Sequence, residues 1–155
     1  MAIAPNTTFV SGAIYTAAQA NAYGFGVVAY QSATIGTTCT IEAVMVTSTS
    51  FTAIANRYYR ITYVEPETKS STATTYLQAR IRKGTTTAGT QVGGYIAMNS
   101  TFPSQFSGVT CVAVTTLTAG AQQIVATLES GAGTATMGRS ATAPAFILVE
   151  DIGPA

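Results

Sequence analysis

Tyr76-Leu77-Gln78-Ala79-Arg80-Ile81-Arg82 alternates strictly, with Leu77, Ala79 and Ile81 set against Tyr76, Gln78, Arg80 and Arg82. A period of two puts the first set on one side of a β-strand and the second on the other, so the segment reads as a strand with one face on a core. The same reading holds elsewhere. Tyr59, Ile61 and Tyr63 oppose Tyr58, Arg60 and Thr62, and Ile124, Ala126 and Leu128 oppose Val125, Thr127 and Glu129. After Gly26, β-branched and aromatic residues dominate and turn residues recur at short intervals, the pattern of an all-β sandwich or barrel. Strands are expected over residues 27–34, 39–47, 51–55, 57–65, 74–83, 92–98, 109–118, 121–129, 133–141 and 145–152.

The turns supply a first connectivity. Thr118-Ala119-Gly120-Ala121 separates two alternating runs and predicts a hairpin between 109–118 and 121–129. Gly131-Ala132-Gly133 is expected to join 121–129 to 133–141. Glu65-Pro66-Glu67-Thr68-Lys69-Ser70-Ser71 is the most polar stretch and reads as an exposed loop. A second long turn lies between Lys83 and Gly94. Ahead of the β body, residues 1–25 read as an arm with apolar anchors Ile3, Phe9, Val10, Ile14 and Tyr15. One short helix is expected there, because Thr16-Ala17-Ala18-Gln19 has the capping-box pattern and Tyr23-Gly24-Phe25-Gly26 stops it. The organisation is thus an arm over 1–25 and a body over 26–155.

Composition narrows the function. The 155 residues include 28 Thr and 26 Ala, a single Asp, no Trp and no His, and charged residues make up 8% of the chain, against about 25% in an average soluble protein. The net charge of +1 gives no footprint for nucleic acid. No apolar run reaches the length of a membrane helix, and the start lacks the basic and apolar regions of an export signal. Without histidine, Ser-His-Asp and Cys-His systems have no base, and two cysteines cannot build a four-cysteine metal site. Cys39 and Cys111 read as small buried thiols, although spacing does not show whether the fold brings them together. So sparse a set of charges, beside 47% hydrophobic residues, points to a surface covered by other subunits. No cofactor is implied.

Few constellations could carry chemistry. Gly84-Thr85-Thr86-Thr87-Ala88-Gly89 has the glycine spacing of a phosphate loop, but Thr90-Gln91 stands where Lys-Ser/Thr is required. Glu65/Glu67 and Glu150/Asp151 are the available carboxylate pairs for glycoside hydrolysis. Nothing in their surroundings predicts the burial that raises a pKa, and Glu150 and Asp151 are expected to pair with arginine or cap backbone amides. Tyr58, Arg60, Arg80 and Arg82 mix basic and aromatic side chains. They form the candidate ligand-facing patch if they share one sheet surface.

Phe9-Val10-Ser11-Gly12-x-x-Tyr15-Thr16-Ala17-Ala18-Gln19-Ala20-Asn21 resembles the opening of many small structural proteins of tailed bacteriophages. Phe51 to Ile61 resembles their middle segment, Thr118-Ala119-Gly120 with residues 131–136 the turn region before their end, and Pro144 to Pro154 their closing strand and tail. Such proteins occur in siphophages of actinobacteria as tail-fibre or minor tail modules and as virion surface proteins. The resemblance implies a jelly-roll-like β-sandwich that assembles as a homotrimer in the virion, partnered by major capsid or tail proteins and without catalytic residues. Related domains are often appended to a long tail protein, so a separate chain of this length brings in head decoration as a second location. The arm, through Ile3, Phe9, Val10 and Tyr15, is the expected docking element. The closing strand is apolar on both faces; Phe146 and Leu148 are expected in the core, with Ile147 and Val149 at a subunit interface. A receptor- or host-glycan-binding fibre tip and a carbohydrate depolymerase are the alternatives. No nucleic acid and no membrane insertion are expected.

Overall fold

The computed structural model of the chain describes residues 25–73, 75–100 and 106–155, with backbone alone over 95–100. The arm and helix expected over 1–25 lie outside these residues, Phe25 excepted. The regular structure described is all β: β1 (Gly26–Ala33), β2 (Thr37–Cys39), β3 (Ala43–Thr47), β4 (Phe51–Ala53), β5 (Arg57–Ser70), β6 (Thr75–Lys83), β7 (Gln91–Ser100), β8 (Ser107–Thr116), β9 (Gly120–Gln122), β10 (Ile124–Ser130), β11 (Ala135–Met137) and β12 (Ala145–Pro154). No helix among the described residues is long and apolar enough to cross a membrane.

The pairing is nested. β6 pairs with β7, β5 with β8, β4 with β9, β3 with β10, β2 with β11 and β1 with β12, every pair antiparallel. The chain is therefore one long hairpin whose tip is the turn at residues 84–90. Rolling this hairpin adds the pairs β5–β12, β5–β11 and β6–β10. The result is a six-stranded sheet facing a four-stranded sheet of order β3-β10-β6-β7, with β4 and β9 as a small separate strip. In the larger sheet β5 pairs with β8 on one edge and with β12 and then β11 on the other. The principal pairs β1–β12, β3–β10, β5–β8 and β6–β7 fall alternately in the two sheets, which is the jelly roll.

Nesting corrects the hairpin expected between 109–118 and 121–129, while Gly131-Ala132-Gly133 joins β10 to β11. β8 belongs to the six-stranded sheet and β10 to the four-stranded one, so Thr118–Ala121 carries the chain across the sandwich, with Leu117 buried beneath the crossing. Residues 131–133 return it to β11 in the six-stranded sheet. The exposed loop expected at 65–71 is corrected as well, because β5 runs on to Ser70. Pro66 lies where β5 changes partner from β12 to β11 and where its register against β8 shifts, so its missing N–H interrupts no regular ladder. Glu65, Thr68 and Ser70 are fully buried. The Thr68 hydroxyl donates to the Ser107 carbonyl at 2.9 Å and the Ser70 hydroxyl to that of Ala132 at 3.2 Å.

The core lies between the two sheets. Tyr59, Ile61 and Tyr63 of β5, with Ile147 and Val149 of β12, meet Leu77, Ala79 and Ile81 of β6 and Ile124, Ala126 and Leu128 of β10. The closing strand is thus turned over relative to expectation. Ile147 and Val149 are 0% exposed within a single chain and so do not form a subunit interface; Phe146 and Leu148 take the outward face. Register fixes this, because Ile147 stands opposite Tyr63 and Val149 opposite Ile61, both inward. The two sheets close on each other at Gly94 of β7, φ +64°, where a Cβ would stand 2.7 Å from Cys111 Sγ. Both the approach and the backbone angle require glycine.

Candidate functional site

Two ion pairs lie inside the sandwich. Glu65 of β5 accepts from Arg139 Nε at 2.9 Å and Nη2 at 2.5 Å, and from the Tyr63 hydroxyl at 2.7 Å. Arg139 Nη1 adds a bond to the Met45 carbonyl at 3.3 Å. Burial, followed by the charge and hydrogen bond of Glu65, pushes the Tyr63 phenol well above its ordinary range. At the end of the six-stranded sheet, Asp151 accepts from Arg57 Nε at 2.6 Å and Nη2 at 2.7 Å, and from the Gly153 N–H at 3.0 Å. The Phe25 ring lies 4.3 Å from the Arg57 guanidinium carbon. Both carboxylates are hydrogen-bonded and buried, which suits a structural pair.

The outer face of the four-stranded sheet carries a charged network. Arg80 and Arg82 project from β6 on either side of Glu42, which lies just before β3. Glu42 accepts from Arg82 Nε at 2.7 Å and Nη2 at 2.9 Å and from the Thr127 hydroxyl at 2.5 Å, with Arg80 Nη1 at 3.1 Å. Arg80 also reaches Glu129 at 2.8 Å and contacts Gln78. Arg82 Nη1 donates to the Gly89 carbonyl at 3.1 Å and so ties the network to the hairpin tip. Burial works against the Glu42 charge, but hydrogen bonds from Arg82 and Thr127 and the charges of Arg80 and Arg82 outweigh it and hold this carboxyl below its usual range. Tyr76, on the same face, is 40% exposed.

The outer face of the six-stranded sheet is different in kind. Across β1, β12, β5 and β8 its register rows run Tyr30, Leu148, Thr62, Val112 and Ser32, Phe146, Val64, Thr110. The adjacent row holds Val27, Glu150, Arg60 and Val114. Tyr30 and Phe146 stack with ring centroids 6.0 Å apart. Val112 and Val114 are 48% and 56% exposed. Arg60 pairs with Glu150 at 2.8 and 2.9 Å. The hydrogen bond from Arg60 lowers the Glu150 pKa against a smaller effect of burial.

The candidate ligand patch is therefore divided. Tyr58 and Arg60 face outward from the six-stranded sheet, whereas Arg80 and Arg82 face outward from the opposite one. Ile3, Phe9, Val10 and Tyr15 lie outside the described residues. Glu150 and Asp151 pair with arginine, as expected, and Asp151 also takes a backbone amide. Sequence reasoning missed the Glu65–Arg139 pair and the specific partners Glu42 and Glu129. Their one signal was numerical: seven basic residues stand against six acids in an otherwise uncharged chain. Five of the six acids are in ion pairs with arginine. Cys39 and Cys111 are free and buried, and burial first of all raises both thiols to about 11. Among the described residues no group of three acids or cysteines could hold a metal ion.

No family model and no curated protein matches the chain. Among solved structures it is similar to a sugar-binding EclA C-terminal domain at 8% identity, covering 77% of this chain and 78% of that one with a TM-score of 0.36. The xylan-binding CBM22-1 domain of Paenibacillus barcinonensis Xyn10C is 12% identical, with coverage of 81% and 87% and a TM-score of 0.37. The structure of infectious bursal disease virus, Gx strain, matches at 12% identity over 84% of this chain and 38% of that one, with a TM-score of 0.39. Likeness of this depth decides nothing about function, and the jelly roll stands on the strand pairing given above.

Proposed function

We propose that the chain is a non-catalytic structural protein of a tailed-bacteriophage virion. In this reading it is a homotrimeric jelly roll displayed on the particle surface, as a head decoration or a minor tail component. The observation that carries the reading is the outward face of β1, β12, β5 and β8, where valine, leucine, phenylalanine, tyrosine and threonine surround the Arg60–Glu150 pair. A continuous apolar face on a folded domain is a protein contact surface. The resemblance of the opening and closing segments to phage structural proteins supplies the setting and the number of subunits. Glu42 and Glu150 support a non-catalytic role, because their arginine partners hold both carboxyls below the usual range rather than poised as proton donors. Sedimentation of the purified protein should give three times the 15.9 kDa of the chain, and labelled protein should be visible at fixed positions on intact particles. A stable monomer at micromolar concentration would end the trimer reading.

A second reading, recognition of a host-surface glycan, rests on the opposite face. There half-exposed Tyr76 adjoins the Arg80, Glu42, Glu129 network, a combination of ring and planar polar groups that suits a sugar. Titration with host-wall oligosaccharide should give binding that Tyr76→Ala abolishes; no binding by the assembled protein removes this reading.

A further inference from the structure

We infer that the apolar outer face of the six-stranded sheet is the docking surface for residues 1–24 of a neighbouring copy of the same chain. The inference rests on the oligomeric reading above and names the contact that holds the oligomer together.

The first support is chemical match. Where β1, β12, β5 and β8 lie side by side, the face offers Tyr30, Phe146, Leu148, Val64, Val112 and Val114, interspersed with Ser32, Thr62 and Thr110, beside the Arg60–Glu150 pair; Lys69 lies beyond them toward β11, over the Phe106 ring. Residues 1–24 contain no Asp, Glu, Lys or Arg and include Ile3, Phe9, Val10, Ile14 and Tyr15. An uncharged, apolar-studded segment leaves no buried charge unpaired on such a surface. A charged partner would bring desolvation cost with no counter-charge to meet it.

The second support is reach. At about 3.3 Å per residue, 24 residues span up to roughly 80 Å when extended. Four strands at about 4.8 Å spacing make a face only some 20 Å across. The segment can cross the gap between subunits and still traverse the face.

The third support is the exit point. Gly26 opens β1 with φ +76°, and Phe25 packs on Arg57. Arg57 belongs to the inward-facing set of β5, at the end of the sheet. At Phe25 the chain thus stands on the core side of the sheet end and not over its own outer face. A contact in which the arm of one subunit lies on the face of the next is heterologous, and heterologous contacts form a ring when the rotation between subunits closes. Three copies so linked make a trimer without any surface having to match itself.

Paired cysteines test this in the full-length protein. Cys39 and Cys111 stay silent, since both are buried and their thiols titrate at about 11. Chains carrying Phe9→Cys or Ile14→Cys are co-expressed with chains carrying Val112→Cys, and the purified assembly is treated with a short bismaleimide. A two-chain adduct on a denaturing gel is expected, and none when Val44→Cys, on the opposite sheet, replaces Val112→Cys. An assembly that sediments as a trimer but gives no two-chain adduct overturns the docking proposal and leaves the trimer standing. A double variant that links only within one chain shows that the arm covers its own subunit, which also overturns it. Sedimentation as a monomer overturns both readings together.

Discussion

The two outer faces of this jelly roll are built on opposite principles. On the four-stranded sheet, Arg80, Arg82, Glu42 and Glu129 form a network of charges that also engages Thr127, Gln78 and the hairpin tip. On the six-stranded sheet, Arg60 and Glu150 form one pair and the surrounding outward positions are largely valine, leucine, phenylalanine, tyrosine and threonine. In a chain with so few charges, this division between the two faces is unequal.

The comparison depends first on the interior being distinct from both faces. Glu65→Gln leaves Arg139 buried without its counter-charge and should cost about 3–5 kcal/mol, read as a drop in the denaturation midpoint. A loss no larger than that of a surface change would show the pair to be hydrated. Next, the inward side of β12 should outweigh its outward side in the stability of the fold. Ile147→Ala should cost about 2–5 kcal/mol, while Leu148→Ala should act mainly on oligomerisation, measured by dilution in the ultracentrifuge. Equal effects of the two on unfolding would erase the distinction between the two sides of the strand.

Charge placed on either face sharpens the contrast further. Val114→Lys should dissociate the assembly and leave the subunit fold within about 0.5 kcal/mol of the parent. Glu129→Gln, on the opposite sheet, removes one member of a part-buried network in which Arg80 keeps Glu42; it should cost about 1 kcal/mol and leave the oligomer intact. If Glu129→Gln were the one to dissociate the oligomer, the roles of the faces would have to be exchanged.

The smallest expected effect is of pH. Glu42 and Glu150 have lowered folded pKa values, so their contribution is present above the ordinary carboxylate range and is lost as pH falls through the lowered values. Tyr63, Cys39 and Cys111 are raised, so theirs is present below the ordinary phenol and thiol values and is lost as pH rises through the folded ones. With no histidine, the denaturation midpoint should be flat between about pH 6 and 8. A slope there would reveal a titrating group that none of these contacts provides.

Much of this was legible in the sequence. Alternation located most of the strands because it reports a local property, the side on which each residue finds apolar neighbours. It failed in three places for identifiable reasons. Thr118–Ala121 has the chemistry of a tight turn, and turn chemistry does not say whether the next strand lies beside the last or across the sandwich. Residues 65–70 looked like a loop because their inward side chains are polar; what buries Glu65 is Arg139, distant in the chain and joined to it only by folding. In β12 both faces are apolar, so a period of two could divide the residues into two sets but could not choose the inward one. That choice came from the register against Tyr63 and Ile61.

Nested pairing also sets the order in which the chain can become a protein. The two strands that meet first are β6 and β7, which flank the short tip at residues 84–90. Each further pair encloses all those before it, and β1 finds its partner only in β12. During synthesis at roughly 5–20 residues per second, β1 must wait for β12. Until then its apolar residues have no partner strand, and the chain as a whole is dominated by pairings distant in sequence, which are slow to form. A jelly roll closed in this way is finished only when β12 arrives, and its synthesis is the step on which closure of the sandwich turns.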